Sequence, residues 1–362
     1  MKFTRRDFNR FAGLAAVSQF LPAVQAQTPD RRVGWCVVAL GRISMDHFMP
    51  AMKTSQTGKI VALVSGHRDK AEKQAAIYGV PASAIYSYEN MDTIRDNKEI
   101  DAVYIALPNS MHAEYTIRSA KAGKHVLCEK PMATSVADAK AMIETCKTAN
   151  KKLMIAYRCQ YDPTHLKAIE LIRSGALGPV QAIESAFGFN CGAGEWRLDR
   201  KMAGGGPLMD VGIYCLNASR YLTGEEPGNI YANSSVIDHD GRFDTVEENV
   251  GWTMKFPSGI VASCNTTYGA SMTGYFRVHG AKGMLQVLPA FNYDGMQLTA
   301  EIGRDQINEP STARDPVEFN WQSDHFADCI WNNKTPKTPG EEGLRDMELI
   351  SQIYQAAGLQ RL

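Results

Sequence analysis

The chain has 362 residues, 44% hydrophobic and 22% charged. That composition fits a globular protein of about two domains and argues against a disordered chain or a multi-span membrane protein. Lysine and arginine total 39 and so do aspartate and glutamate, so no global field draws the chain to nucleic acid or to an anionic membrane, and small-molecule chemistry is the expected class.

The first predicted segment is an address. Thr4-Arg5-Arg6-Asp7-Phe8 precedes an apolar stretch over residues 11–24, and Val24-Gln25-Ala26 has the small-residue form of a cleavage site. A basic start, an apolar run too short to span a bilayer and a processing site predict a signal peptide over 1–26. Paired arginines before an aromatic residue resemble the twin-arginine export signal, which implies a periplasmic protein that folds before it crosses. The eight cysteines form no C-x-x-C pair and no histidine stands at zinc spacing beside them, so buried thiols are expected and no metal site.

From residue 32 to 156 short apolar runs alternate with helical spacing. Strands are predicted at 33–40, 59–64, 102–106, 125–127 and 153–156, and helices at 69–78, 111–122 and 136–149. Continuous apolar strands joined by helices predict a doubly wound parallel sheet, a Rossmann domain over 27–156. Beyond it, helices are expected at 163–173 and 207–221. Strands at 248–256 and 260–267 flank Pro257-Ser258-Gly259, and strands at 275–279 and 284–288 flank Gly280-Ala281-Lys282-Gly283. Adjacent hairpins predict an α+β domain over 157–362 with a large, mostly antiparallel open sheet, closed by helices at 323–332 and 343–357 that could pack on either domain.

The first strand runs into Val38-Ala39-Leu40-Gly41-Arg42-Ile43-Ser44. A dinucleotide turn has the form G-x-G-x-x-G/A; here Ala39 and Ser44 replace the outer glycines, and Gly41, which lets backbone approach a pyrophosphate, is kept. Leu40, Gly41, Arg42 and Ile43 are therefore cofactor candidates. The second strand ends Val64-Ser65-Gly66-His67-Arg68-Asp69-Lys70. An NAD-specific site places a carboxylate where Ser65 stands. A hydroxyl with cations nearby suits a 2′-phosphate instead, so Ser65, Gly66, Arg68 and Lys70, with Tyr88, are read as the NADP(H) end.

Three later segments, Leu107-Pro108-Asn109-Ser110-Met111-His112, Glu129-Lys130-Pro131 and Gly204-Gly205-Gly206-Pro207-Leu208-Met209-Asp210-Val211-Gly212-Ile213-Tyr214, join Tyr157-Arg158 and Trp196-Arg197. In this order they resemble the glucose–fructose oxidoreductase and inositol dehydrogenase family, above all its glucose–fructose and aldose–aldose branch. The resemblance implies that Lys130 lies near the nicotinamide and the reacting carbon and that Tyr214 is the acid/base. It also implies that Leu107, Asn109, His112, Glu129, Arg158, Trp196 and Arg197 line the cofactor. It implies tightly held NADP(H), sugar substrates and a homo-oligomer. One departure is visible: only residues 27–30 separate the cleavage point from the first strand, where glucose–fructose oxidoreductase has a long proline-rich arm.

Pro207 is placed to start a helix that carries Asp210 and Tyr214 four residues apart on one face. Oxidising a sugar at C1 releases a hydride and a proton, and a tyrosine with a pKa near ~10 is a poor base. An ammonium at ~4 Å in a dielectric of about 20 would favour the phenolate by roughly 4 kcal/mol, less some desolvation. Lys130 is thus expected to activate Tyr214, with Asp210 orienting the sugar. Two other readings stay open: a dehydrogenase that releases its cofactor, and a non-catalytic sugar-binding protein on the same fold.

Overall fold

The computed structural model describes residues 32–360. The signal expected at 1–26 lies outside them, as does the start of the first domain. Strand β1 (Val33–Val38, VGWCVV) is buried along its whole length, which an unbroken apolar strand requires when helices cover both faces of a sheet. The chain continues through a π-helical stretch Ile43–Phe48 and α1 (Met49–Thr54) to β2 (Gly58–Val64), α2 (Arg68–Tyr78), β3 (Ile85–Tyr86), β4 (Ala102–Ile105), α3 (His112–Lys121), β5 (His125–Cys128), α4 (Val136–Thr148) and β6 (Leu153–Ile155). These strands form a six-stranded sheet in the order β3-β2-β1-β4-β5-β6, parallel throughout. The order reverses between β1 and β4, so the crevice at the carboxyl ends of those strands is where a ligand is expected.

The second half contains α5 (Pro163–Arg173), β7 (Val180–Gly188), α6 (Arg200–Ala203), a π-helical turn Leu208–Gly212 and α7 (Ile213–Thr223), then β8 (Asn229–Ser235), β9 (Asn249–Lys255), β10 (Val261–Thr267), β11 (Tyr275–Gly280), β12 (Gly283–Val287), β13 (Gln297–Ile302) and β14 (Asp305–Pro310). They build an eight-stranded sheet in the order β14-β13-β12-β11-β7-β10-β9-β8, antiparallel except for the central β7–β10 pair. The period-2 pattern sorts its faces. Val250, Trp252, Met254, Ala262, Cys264, Phe276, Val278, Leu285 and Leu298 are buried, while Tyr231 and Val261 are exposed. Strands β3, β7, β8, β13 and β14 escaped prediction; β8 and β14 are polar edge strands with no apolar run, half-exposed or exposed along their length.

The last two helices, α8 (Val317–Trp331) and α9 (Gly340–Ala356), begin earlier than the sequence indicated. They also return to the first sheet and its helices. Asn320 Nδ2 donates to Ala51 O at 2.7 Å, Asp324 accepts from the Thr57 hydroxyl, and Ile155 N donates to Thr338 O at 2.8 Å. Phe326 of α8 packs on Trp35 of β1 at 6.0 Å, within an aromatic core in which Phe48 stacks on Tyr104 at 3.8 Å. No helix of the described residues is long and apolar enough to cross a membrane.

Candidate active site

The turn after β1 is built for close approach. Ala39, in the place of the first fingerprint glycine, takes φ 75°, a left-handed conformation that costs an alanine about 1–2 kcal/mol. At Gly41 an added Cβ would meet nothing within 4 Å, so no protein packing demands glycine there and the space beside it is open to a ligand. Ser44 is buried with its hydroxyl unpartnered, a polar group where the fingerprint places a small residue for helix–strand packing. Arg42 is exposed and reaches Glu195 at 3.3 Å. An open cradle on the switch-point crevice, at the start of a helix, fits a dinucleotide pyrophosphate, with Leu40, Gly41, Arg42 and Ile43 supplying it.

The end of β2 differs from expectation in one respect. Ser65 is buried, its hydroxyl donating to His67 O at 3.2 Å and accepting from His67 N at 3.1 Å. Arg68 pairs with Glu72 at 2.8 Å and donates to the carbonyls of Ile85 and Ala82, so its guanidinium is held by its own helix and the turn before β3. Among the described residues Lys70 has no hydrogen-bond or ion-pair partner. Gly66 lies against Tyr88, whose ring meets Tyr115 edge-on at 5.5 Å.

The family segments converge at the other end of the crevice. Lys130 follows β5, and its Nζ donates to Asp210 O at 2.7 Å and Asp210 Oδ1 at 3.2 Å. Asp210 Oδ2 accepts from Arg197 Nε at 2.9 Å and from the Tyr268 hydroxyl at 2.8 Å. Burial alone would push the Asp210 carboxyl up; the Lys130 and Arg197 charges and the Tyr268 bond overcome it and hold the carboxyl well below the usual carboxylate range. Tyr214 sits one turn on, with Lys130 Nζ 4.7 Å and Arg158 Cζ 5.5 Å from its ring centroid.

This corrects the expected activation. Lys130 does stand over Tyr214, but its charge is compensated by Asp210 beside it. Burial pushes the Tyr214 phenol up, and the pull of Arg158 offsets this only in part. The helix carrying both residues also opens as a π-turn, not an α-turn, from Pro207.

The other expected cofactor residues also make contacts within the protein. His112 is buried with Nδ1 2.8 Å from Pro131 O and Nε2 2.8 Å from Leu107 O, so it braces the turn after β4 against the turn after β5. Asn109 Nδ2 donates to Ala203 O at 2.8 Å, and Leu107 is buried. Glu129 accepts from the Tyr104 hydroxyl at 2.7 Å. Arg158 is buried and pairs with Glu318 while donating to Phe291 O at 2.5 Å and Asn292 O at 3.0 Å. Arg197 lies over Trp196 at 4.8 Å. The glycine turn before Asp210 is packed tightly: a Cβ on Gly205 would lie 2.0 Å from the Tyr354 hydroxyl, and Glu247 accepts from Gly206 N at 3.0 Å.

The fold and this constellation match known proteins. The family model described as an oxidoreductase family with an NAD-binding Rossmann fold covers residues 33–157, and the GFO/IDH/MocA C-terminal domain covers 165–286. The chain belongs to this family. It is 31% identical to D-xylose 1-dehydrogenase (NADP(+)) of Haloarcula marismortui, over 92% of this chain and 93% of that protein. It is 30% identical to D-xylose 1-dehydrogenase (NADP(+)) 2 of Haloferax volcanii, over 89% and 96%. Among solved structures, the aldose–aldose oxidoreductase from Caulobacter crescentus, complexed with glycerol, superposes with a TM-score of 0.88 at 42% identity, covering 91% of this chain and 98% of that one.

The protein is therefore an NAD(P)-dependent oxidoreductase of the GFO/IDH/MocA type, as the sequence motifs indicated. Four residues at the site escaped the sequence reading: Glu195, Tyr268, Tyr293 and Glu318. None lies in a family motif. Tyr268 follows β10, Tyr293 sits in a loop, and Glu318 arrives from a helix 160 residues after the arginine it pairs with.

Proposed function

We propose that this protein is a sugar oxidoreductase that uses NADP(H), oxidises an aldopyranose at C1 to the lactone, and, with the cofactor held through turnover, reduces a second sugar to the alditol. The observation that carries the reading is the meeting of Lys130, Asp210 and Tyr214 at the crevice edge. The names of the xylose dehydrogenases and the aldose–aldose oxidoreductase support the substrate class, and the absence of a carboxylate at Ser65 supports the 2′-phosphate.

When bound, the nicotinamide supplies hydride acceptance or donation at C4 and, oxidised, a positive ring charge. The chain supplies the proton chemistry. Tyr214, protonated at neutral pH, is a ready donor to a carbonyl in the reductive half. In the oxidative half the phenolate form of Tyr214, which the Arg158 charge favours, takes the proton of the C1 hydroxyl and becomes the phenol. Lys130 uses two of its three N–H groups on Asp210 and has one left for a sugar hydroxyl. Asp210 keeps Lys130 in place. The predicted signal favours a periplasmic site of action, and the open face of the second sheet is available for a homo-oligomer.

The relatives' names also suit a second reading, a dehydrogenase that releases its cofactor. Mixing the protein as isolated with one aldose, without added coenzyme, separates the two. A rise in the reduced-nicotinamide band supports retention, and turnover only on adding NADP selects release. Tyr214→Phe is expected to lower kcat in either case by about 10²–10⁴-fold; wild-type kcat in that variant would remove Tyr214 from the chemistry.

A further inference from the structure

Arg158 follows β6 and is the second cation over Tyr214. It is clamped from four directions: Glu318 at the start of α8, the carbonyls of Phe291 and Asn292, and the faces of Tyr293 at 4.2 Å and Tyr214 at 5.5 Å. Its partner Glu318 is incompletely satisfied. One oxygen accepts from Arg158, and the other, Oε1, is buried without a donor among the described residues. Asp162 faces it from the N-cap of α5. Asp162 Oδ1 caps α5, accepting from Thr164 N at 2.7 Å and His165 N at 3.4 Å, while its Oδ2 is also buried and bare. Two bare carboxyl oxygens facing each other in a dry interior call for one shared proton. His165, the nearest imidazole, is fixed by the Tyr221 hydroxyl at 2.6 Å and Ala290 O at 2.7 Å.

We propose that Glu318 is a positioning residue for proton transfer at Tyr214: it fixes the Arg158 guanidinium against the Tyr214 and Tyr293 rings, and by holding or releasing a proton shared with Asp162 it sets how much of that positive charge reaches the phenol. The inference rests on the proton-transfer role given to Tyr214 above. The other groups facing that phenol are Cys159 beside Arg158, Glu129 and Lys130 after β5, Asp210 on its own helix, and Tyr293. Burial pushes Glu318 up, Arg158 pulls it back and Asp162 opposes that pull, leaving it at about 7; burial raises Glu129 as well, against the Tyr104 hydroxyl and Lys130. With Glu318 protonated, Arg158 acts on Tyr214 as a nearly bare cation. With Glu318 ionised, the cation is neutralised and the phenol holds its proton more tightly.

The test uses the whole protein with tyrosine labelled by ¹³C at the ring Cζ, the Tyr214 signal being identified by its loss in Tyr214→Phe. In Glu318→Gln, the Cζ titration and the limb of the kcat–pH profile for aldose oxidation should both move to lower pH by about half a unit or more. Curves that coincide with wild type, or that move to higher pH, overturn the proposal. Should the variant not fold, the wild-type Cζ signal must itself inflect near pH 7, and its absence overturns the proposal equally. An unmoved Cζ titration with an inactive Tyr214→Phe variant removes Glu318 alone, whereas a fully active Tyr214→Phe variant removes the proton-transfer reading and this inference with it.

Discussion

Two cations approach the ring of Tyr214, each with its own carboxylate, and the two pairs behave in opposite ways. Asp210 receives three side-chain donors, Lys130, Arg197 and Tyr268, and its carboxyl is held well below the usual range. Glu318 receives one, Arg158, faces a second carboxylate, and is pushed up to about 7. Both are desolvated and both touch a cation, so a cation alone does not decide the charge of a buried acid. The number of donors around it, set against the cost of removing it from water, does. The first pair is a clamp and the second a proton reservoir, around one phenol.

The comparison breaks most visibly if the clamp is cut. Lys130→Met keeps the bulk of the side chain and removes the ammonium, leaving the Asp210 charge to Arg197 and Tyr268 alone. Because Lys130 touches both Asp210 and the face of Tyr214, kcat is expected to fall by at least about 10²-fold. Steady-state rates with an aldose and NADP check this. A loss below tenfold would mean that Asp210 and Tyr214 hold their geometry without the lysine and that the clamp is redundant.

Stability against pH sharpens the contrast, because the two acids contribute with opposite sign. The folded-state pKa of Asp210 is depressed, so its contribution is present above the unfolded value and is lost as pH falls through the folded one. For Glu318 the folded-state pKa is raised, from 4.5 to about 7, so its contribution is full below 4.5 and disappears as pH rises toward and through 7. That interval amounts to roughly 3 kcal/mol for a group this deeply buried. Denaturant unfolding between pH 5 and 8 should therefore show wild type losing stability relative to Glu318→Gln as pH rises, and Asp210→Asn showing no such divergence. Parallel curves for wild type and Glu318→Gln would place the proton elsewhere.

The same contrast explains what was legible in the sequence. Lys130, Asp210 and Tyr214 lie in motifs whose spacing survives translation into geometry, because each motif follows a strand or opens a helix at the crevice. The parallel sheet was legible for a related reason: strands such as VGWCVV are apolar throughout. Arg158, Arg68 and His112 were visible as residues but not in their roles. Their partners are Glu318, the carbonyls of Ile85 and Ala82, and the carbonyls of Pro131 and Leu107, and nothing in a linear pattern says which carbonyl a cation or an imidazole will find. Tyr268 and Glu318 carry no local signal, since their significance is created by a contact across the sheet or across 160 residues.

The finest test concerns the weakest donor of the clamp. Tyr268→Phe removes a single hydroxyl from Asp210 Oδ2 and leaves Arg197 Nε on the same oxygen at 2.9 Å and Lys130 on the other. Two cations remain against one carboxylate, so Asp210 should stay ionised and kcat should change less than tenfold. The lost bond to a charged acceptor should cost about 1.5–3 kcal/mol of unfolding free energy at neutral pH, and that difference from wild type should shrink as acid protonates Asp210. A fall in kcat as large as that of Lys130→Met would show instead that the three donors act as one unit, and that the carboxylate is held by geometry as much as by charge.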